Sequence, residues 1–298
     1  MPAEAIAIVS PGDMGHHVGR ALKTEGRRIL TCLEGRSART RGLAEAAGFE
    51  SVPTLAELLA QADLVLSILP PSNALDSART IARTMAESGA KPAFADCNAI
   101  SPRTTHEIGA LMAGIGAPYI DAGIIGPGPG TREQPTRFYV SGPGVAAMDA
   151  LRGPHIEVIE MGPEIGRASA IKMCYAAVTK GTWTLHAAAL MAAEALGVSP
   201  DLHAEFQYSQ AKAYAEMARM VPRLPLDAGR WIGEMHEIGD TLDGVGVTPR
   251  FHRGAAEVFE LLVRTPVARE TRETVDPTRT LEQALSIYAQ HLPPNNKA

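Results

Sequence analysis

The feature that most restricts this chain is a change of pattern near residue 162. Before it, short aliphatic runs at residues 5–9, 28–33, 64–69 and 93–97 read as strands, with weaker candidates at 119–122, 137–140 and 155–159. Helical patterns at 15–25, 40–47, 54–61, 72–87 and 102–113 lie between them. Strand-helix alternation of this kind predicts a parallel sheet with helices on both faces. After Gly162 the strand signals stop. Residues 166–196 contain no proline, are rich in alanine and are apolar on nearly every side, which is the pattern of a helix buried all round. Gly197 supplies a stop, Ser199-Pro200-Asp201 starts a new helix, and further helical patterns cover 201–220, 226–243, 249–264 and 280–291. The division expected is residues 1–162, α/β, and residues 163–298, all-helical.

With 298 residues the chain is long enough for two domains of ordinary size. Twenty-eight basic against 33 acidic residues give a net charge of −5, and no basic block is present to neutralise a run of phosphates, so nucleic acid is not an expected partner. The longest strongly apolar stretch, residues 187–193, is far short of the roughly 20 residues a membrane helix needs. No positive region precedes the first apolar run, as a signal peptide would require. Three cysteines, Cys32, Cys97 and Cys174, cannot all pair and show no CxxC spacing. A cytoplasmic chain with reduced thiols and no metal site is the expectation. Aromatic residues are only 5% of the chain, so its core is built mostly from Ala, Ile, Leu and Val.

Ser10-Pro11-Gly12-Asp13-Met14-Gly15 follows the first strand and opens directly into a helix. It carries the second and third glycines of the dinucleotide pattern G-x-G-x-x-G, with Ser10 in place of the first. Gly12 lets the backbone approach a pyrophosphate, Gly15 allows close helix-strand packing, and the helix N-terminus faces the phosphate charge. At the end of the second strand, Glu34 would accept ribose hydroxyls and favour NAD, whereas Arg36 and Ser37 would hold a 2′-phosphate and favour NADP. With Arg36, Arg39 and Arg41 clustered there, the balance tips towards NADP(H) over NAD(H).

The chain resembles the β-hydroxyacid dehydrogenase family, relatives of 6-phosphogluconate dehydrogenase and 3-hydroxyisobutyrate dehydrogenase, over almost its whole length. The resemblance is carried by the Ser10-to-Gly15 loop, the strand ending in Leu69-Pro70-Pro71 and the run from Asp96 to Pro102 with Asn98. It continues in Asp121-Ala122-Gly123 with Gly126, Gly128 and Gly130, and in Gly166 to Lys172. It implies a Rossmann-like domain, a long interdomain helix, an all-α C-terminal domain, and oxidation or reduction at a substrate hydroxyl or carbonyl. It also implies that Lys172 is the general acid and base. On physical grounds Lys172 stands out already, because a charge among small and apolar helix neighbours must be paired, face a cleft or shift its pKa. A lysine with a lowered pKa suits removal of a hydroxyl proton during hydride transfer.

Tyr175, Ala176 and Thr179 share a helix face with Lys172. Family members usually carry a substrate-binding asparagine where this chain has Ala176, so Tyr175 and Thr179 are the candidates to replace it. Lys180, two turns beyond Lys172, is expected to reach solvent. The Asp121 segment normally continues into Ser-Gly-Gly, which binds a substrate carboxylate, but here it reads Ile125-Gly126-Pro127. Where relatives have a Lys-Asp pair in a C-terminal helix, this chain has His236-Glu237, which makes His236 a candidate to face the site. Asn98 is a candidate to orient nicotinamide or substrate.

These departures argue for a bulkier or less acidic alcohol than a small 3-hydroxy acid. The function expected is that of an NAD(P)-dependent dehydrogenase or reductase acting on CH–OH. The alternatives are an imine reductase of the same fold, in which Asp or Tyr generally replaces the lysine, and a non-catalytic dinucleotide-binding scaffold. The helical domain is too small to cover the long helix on every side, which predicts a homodimer.

Overall fold

The computed structural model describes residues 3–294. Among them is an eight-stranded sheet of β1 (Ala5–Ile8), β2 (Arg28–Cys32), β3 (Glu50–Val52), β4 (Leu64–Ser67), β5 (Ala93–Asp96), β6 (Tyr119–Ile125), β7 (Thr136–Ser141) and β8 (Ile156–Glu160). The strand order is β3-β2-β1-β4-β5-β6-β7-β8. Strands β1 to β6 pair in parallel, as the alternation predicts, through the crossover helices α1 (Gly15–Thr24), α2 (Ala38–Ala46), α3 (Leu55–Gln61), α4 (Ala74–Ser88) and α5 (Pro102–Gly114). Strand β7 runs antiparallel to β6, and β8 parallel to β7. The reversal has a local cause: no helix lies between β6 and β7, and a short return without a crossover pairs only antiparallel. Strand β3 escapes the sequence pattern because it has three residues, two of them exposed.

The two-residue period of the strands divides the core between the two faces of the sheet. Ile6 and Ile8 pack with Val18 and Leu22 of α1 on one side, while Ala5 and Ala7 pack with Leu58 and Leu59 of α3 and Ile81 of α4 on the other. Helix starts are fixed by side chains. Ser37, Thr54 and Ser101 accept from the amides of Thr40, Glu57 and Thr104 at the starts of α2, α3 and α5, each contributing about 1 kcal/mol.

The chain forms two compact units, one ending at Cys174 and the other beginning at Tyr175. Strands end at Glu160, close to the expected switch, but the first unit runs on into helix α6 (Arg167–Leu196). The second unit holds the rest of α6 with α7 (Ser199–Ser209), α8 (Ala211–Met220), α9 (Pro225–Asp243), α10 (Arg250–Val263) and α11 (Leu281–Ala289). Its interior includes Trp231, Met235, Ile238, Phe259, Leu285 and Tyr288. Three aromatic rings pack together in it: Trp231 lies 5.6 Å from the Trp183 ring and 5.4 Å from the Phe259 ring.

Three details depart from the sequence reading. The pattern over 201–220 is two helices, broken at Gln210, where φ is −140° and ψ is 44°. Helix α6 is not buried all round, because Tyr175, Val178, Leu185 and Leu196 are 50%, 70%, 55% and 76% exposed. Lys180 does not reach solvent: its ammonium pairs with the buried Glu234 carboxylate of α9 at 2.9 Å and lies 5.4 Å from the Trp231 ring. A buried carboxylate opposite gives that ammonium the partner its burial requires.

Candidate active site and cofactor cleft

Because β1, β4, β5 and β6 are parallel, their C-terminal ends share one edge of the sheet, and the order of strands reverses between β1 and β4. Ligands of open α/β sheets bind at such an edge and such a reversal. The glycine loop leaves β1 there. A Cβ added to Gly12 would meet nothing within 4 Å, so its backbone is open to close approach. A Cβ on Gly15 would lie 2.4 Å from the Ser10 carbonyl oxygen, so only glycine lets α1 start so near the strand. Pro11 and Gly15 are buried, while Ser10, Gly12, Asp13 and Met14 are half-buried along the loop. Met14 precedes α1 and provides no side-chain cap, which leaves the helix end to a ligand's charge. These features fit a dinucleotide pyrophosphate.

Beside the loop is a cleft of about 410 Å³ lined by Val9, Glu34, Arg36, Leu69, Asn73 and Ser77, among others. Glu34, Arg36 and Leu69 are residues the sequence singles out. Arg36 reaches across to donate to the Val9 carbonyl at 3.1 Å, while Ser37 is exposed and caps α2, and Pro70 is exposed. Asn73, Asp76, Ser77 and Thr80, which line the cleft from α4 and its approach, went unnoticed in the sequence. Their signal was the Pro70-Pro71 break, which brings the start of α4 to the sheet edge.

Asn98 is placed differently from expectation. It is 2% exposed; its carbonyl accepts the Leu69 amide at 2.5 Å, and its amide nitrogen donates to Ser67 Oγ at 3.1 Å and Asp96 Oδ2 at 3.0 Å. With both side-chain N–H groups donating within the fold, it ties the ends of β4 and β5 together and shapes the Leu69-Pro70 turn. Neighbouring Cys97 is inert: burial pushes its thiol pKa well up, and the Asp96 and Asp121 charges add to the rise.

Asp121 is likewise engaged within the fold. It is fully buried, and one carboxylate oxygen accepts from the Gly166, Ala168 and Ser169 amides at 2.9, 3.1 and 3.1 Å. Ser141 Oγ donates to that oxygen at 3.0 Å, and Ser169 Oγ donates to the other at 2.5 Å. The carboxylate thus closes the positive N-terminal end of α6, which is why the first turns of α6 belong to the sheet unit. Gly123 also serves this packing: a Cβ there would lie 2.8 Å from both the Ala168 carbonyl oxygen and Lys172 Cβ.

The result is a fixed place for Lys172. Its ammonium is half-buried and donates to the Ile124 carbonyl at 2.8 Å, near the C-terminal end of β6. Ile125 is half-buried at the end of the strand, and exposed Gly126 turns the chain with φ of 122°. Beyond it, Gly128 packs on α1, where a Cβ would lie 2.7 Å from the His17 ring. The post-β6 loop and the glycine loop therefore flank the same edge.

Four expected residues lie in the second unit. Tyr175 is half-exposed on α6, and Ala176 is fully buried and so removed from any ligand. The Thr179 hydroxyl donates to the Tyr175 and Ala176 carbonyls at 3.2 and 3.3 Å, as threonines within helices commonly do, and His236 is exposed on α9.

Residues 5–152 match the NAD binding domain of 6-phosphogluconate dehydrogenase. The N-terminal domain belongs to that family. Residues 193–262 match a domain of unknown function, DUF1932. An uncharacterized 28.5 kDa protein of Methanothermus fervidus is 26% identical over 193 residues, covering 64% of this chain and 72% of its own length. A conserved protein of unknown function, described as similar to 3-hydroxyacid dehydrogenases, is 26% identical with a TM-score of 0.62, covering 87% of this chain and 96% of that one. The 3-hydroxyisobutyrate dehydrogenase of Mycobacterium tuberculosis shares the fold at 22% identity and a TM-score of 0.64, over 87% and 93% of the two chains. Imine reductases share it too, at TM-scores of 0.52 and 0.54 for two of them. Among the described residues no group of side chains could hold a metal ion, and no helix is long and apolar enough to cross a membrane.

Proposed function

We propose that this chain is an NAD(P)-dependent oxidoreductase that interconverts a CH–OH group and its carbonyl, with Lys172 exchanging the hydroxyl proton. The observation that carries this reading is the placement of the Lys172 ammonium at the end of β6, the sheet edge that also bears the glycine loop. The bound nicotinamide would supply or take up the hydride. The glycine loop and the N-terminus of α1 would hold the pyrophosphate, and the cleft of Glu34, Arg36 and Asn73 the adenosine end. Lys172 would accept the proton from the substrate hydroxyl during oxidation and return it to the carbonyl oxygen during reduction.

Arg36 in the cleft supports NADP(H) over NAD(H), since its guanidinium suits a 2′-phosphate. Loss of the usual serine at Ile125 supports an alcohol bulkier or less acidic than a small 3-hydroxy acid, and leaves Tyr175 and Thr179 as candidate substrate contacts. Lys172 speaks against the imine reductase and scaffold readings. The exposed Val178, Leu185 and Leu196 side chains of α6 support a homodimer that buries them, and the three free cysteines support a cytoplasmic location. A stable monomer at micromolar concentration in light scattering would contradict the dimer.

The deciding experiment is a screen of hydroxy acids, polyols and aryl alcohols with NAD and NADP, followed by nicotinamide absorbance. Turnover of an alcohol is expected; dinucleotide binding without turnover across the panel would favour the scaffold.

A further inference from the structure

The glycine loop contains a carboxylate where an incoming pyrophosphate needs positive potential. Asp13 lies between Gly12 and Met14 at the start of α1, with its side chain 35% exposed. Unpaired, it would offset the favourable field of the helix end and repel a phosphate anion. It is paired: Arg39 of α2 donates through Nη2 to Asp13 Oδ1 at 2.6 Å.

The three arginines that cluster in the sequence therefore have separate partners. Arg36 lines the cleft and bonds the Val9 carbonyl, Arg41 Nε donates to the Arg36 carbonyl at 3.1 Å, and Arg39 turns to the glycine loop. We infer that Arg39 is the counter-charge of Asp13, a positioning residue that lets this loop accept the pyrophosphate common to NAD and NADP and takes no part in reading the 2′-phosphate. This rests on the dinucleotide reading above. It assigns 2′-phosphate discrimination to Arg36 and general dinucleotide affinity to the Asp13–Arg39 pair.

The test is a double-mutant cycle on NADH and NADPH binding, measured by nicotinamide fluorescence with Arg39→Gln, Asp13→Asn and the combined variant. The Arg39 side chain is exposed and Asp13→Asn keeps the size of the half-buried side chain, so thermal unfolding of each variant is expected to match the native chain. Arg39→Gln is expected to weaken NADH and NADPH by the same factor, about 3- to 10-fold, with the loss shrinking as salt is raised. Adding Asp13→Asn is expected to restore both affinities. A loss confined to NADPH would make Arg39 a direct 2′-phosphate ligand and overturn the proposal. So would no loss at all, or a combined variant no better than Arg39→Gln alone. A native chain that binds neither dinucleotide would overturn the underlying reading as well, a result visible before any variant is made.

Discussion

The carboxylate of Asp121 receives both the backbone amide and the hydroxyl of Ser169, at 3.1 and 2.5 Å, from 48 positions further along the chain. A strand and a helix are thereby joined through a fully buried charge. Asp121→Ala would leave several buried donors without an acceptor, each costing about 1–3 kcal/mol. A loss of at least ~3 kcal/mol in urea unfolding is expected, with Asp121→Asn losing less because its carbonyl still accepts. A loss under ~1 kcal/mol for the alanine variant would mean that the first turn of α6 is held by other contacts.

Lys172 should separate chemistry from binding. Lys172→Ala is expected to keep dinucleotide affinity within about twofold while turnover falls by about 10² to 10⁴. Lys172→Arg keeps the charge but cannot exchange a proton near neutral pH, so it should be nearly as slow. An arginine variant with native turnover would restrict the lysine to electrostatics or packing.

Much of the first unit is legible because local chemistry dictates it. The spacing of Gly12 and Gly15 follows from where a strand, a tight turn and a helix can meet, and both positions behave as the pattern requires. The reversal at β7 is not legible in the sequence, whose strand-helix alternation predicts parallel pairing alone. What the sequence hides are partnerships made across the fold. Asp121 and Asn98 carry the residue types of a binding site, yet Ser169 and Leu69 consume them. Lys172 and Lys180 look alike on one helix, and only the arrival of Glu234, 54 positions away, buries the second.

Alkaline stability should be governed by the buried Cys97 thiol and by two of the six tyrosines. Burial raises the pKa of Tyr119, helped by the Asp96 and Asp121 charges, and burial raises that of Tyr288, whose hydroxyl donates to the Val221 carbonyl at 3.0 Å. Below the unfolded tyrosine pKa of about 10 both states keep the tyrosine protons and nothing is lost through them. Above it the unfolded chain releases protons the folded chain retains, so stability falls as pH rises. Denaturant midpoints should begin to drop at about pH 8.5, where the unfolded chain loses the Cys97 proton that the buried thiol keeps, and fall further from about pH 10, while tyrosinate absorbance should show Tyr119 and Tyr288 ionising only with unfolding. Early titration of all six would contradict the burial of both.

The two glycines of the cofactor loop should fail in different ways. Gly12→Ala adds a Cβ into open space, so unfolding should change by less than about 0.5 kcal/mol, while both NADH and NADPH bind at least ~10-fold more weakly because the methyl occupies the path of the pyrophosphate. Gly15→Ala drives a Cβ against the Ser10 carbonyl, which backbone movement alone can relieve, so the fold itself should lose about 1–3 kcal/mol along with dinucleotide binding. Measuring thermal unfolding and dinucleotide titration on both variants separates the roles. Native affinity in Gly12→Ala would remove the pyrophosphate from this loop, whatever happens at Gly15.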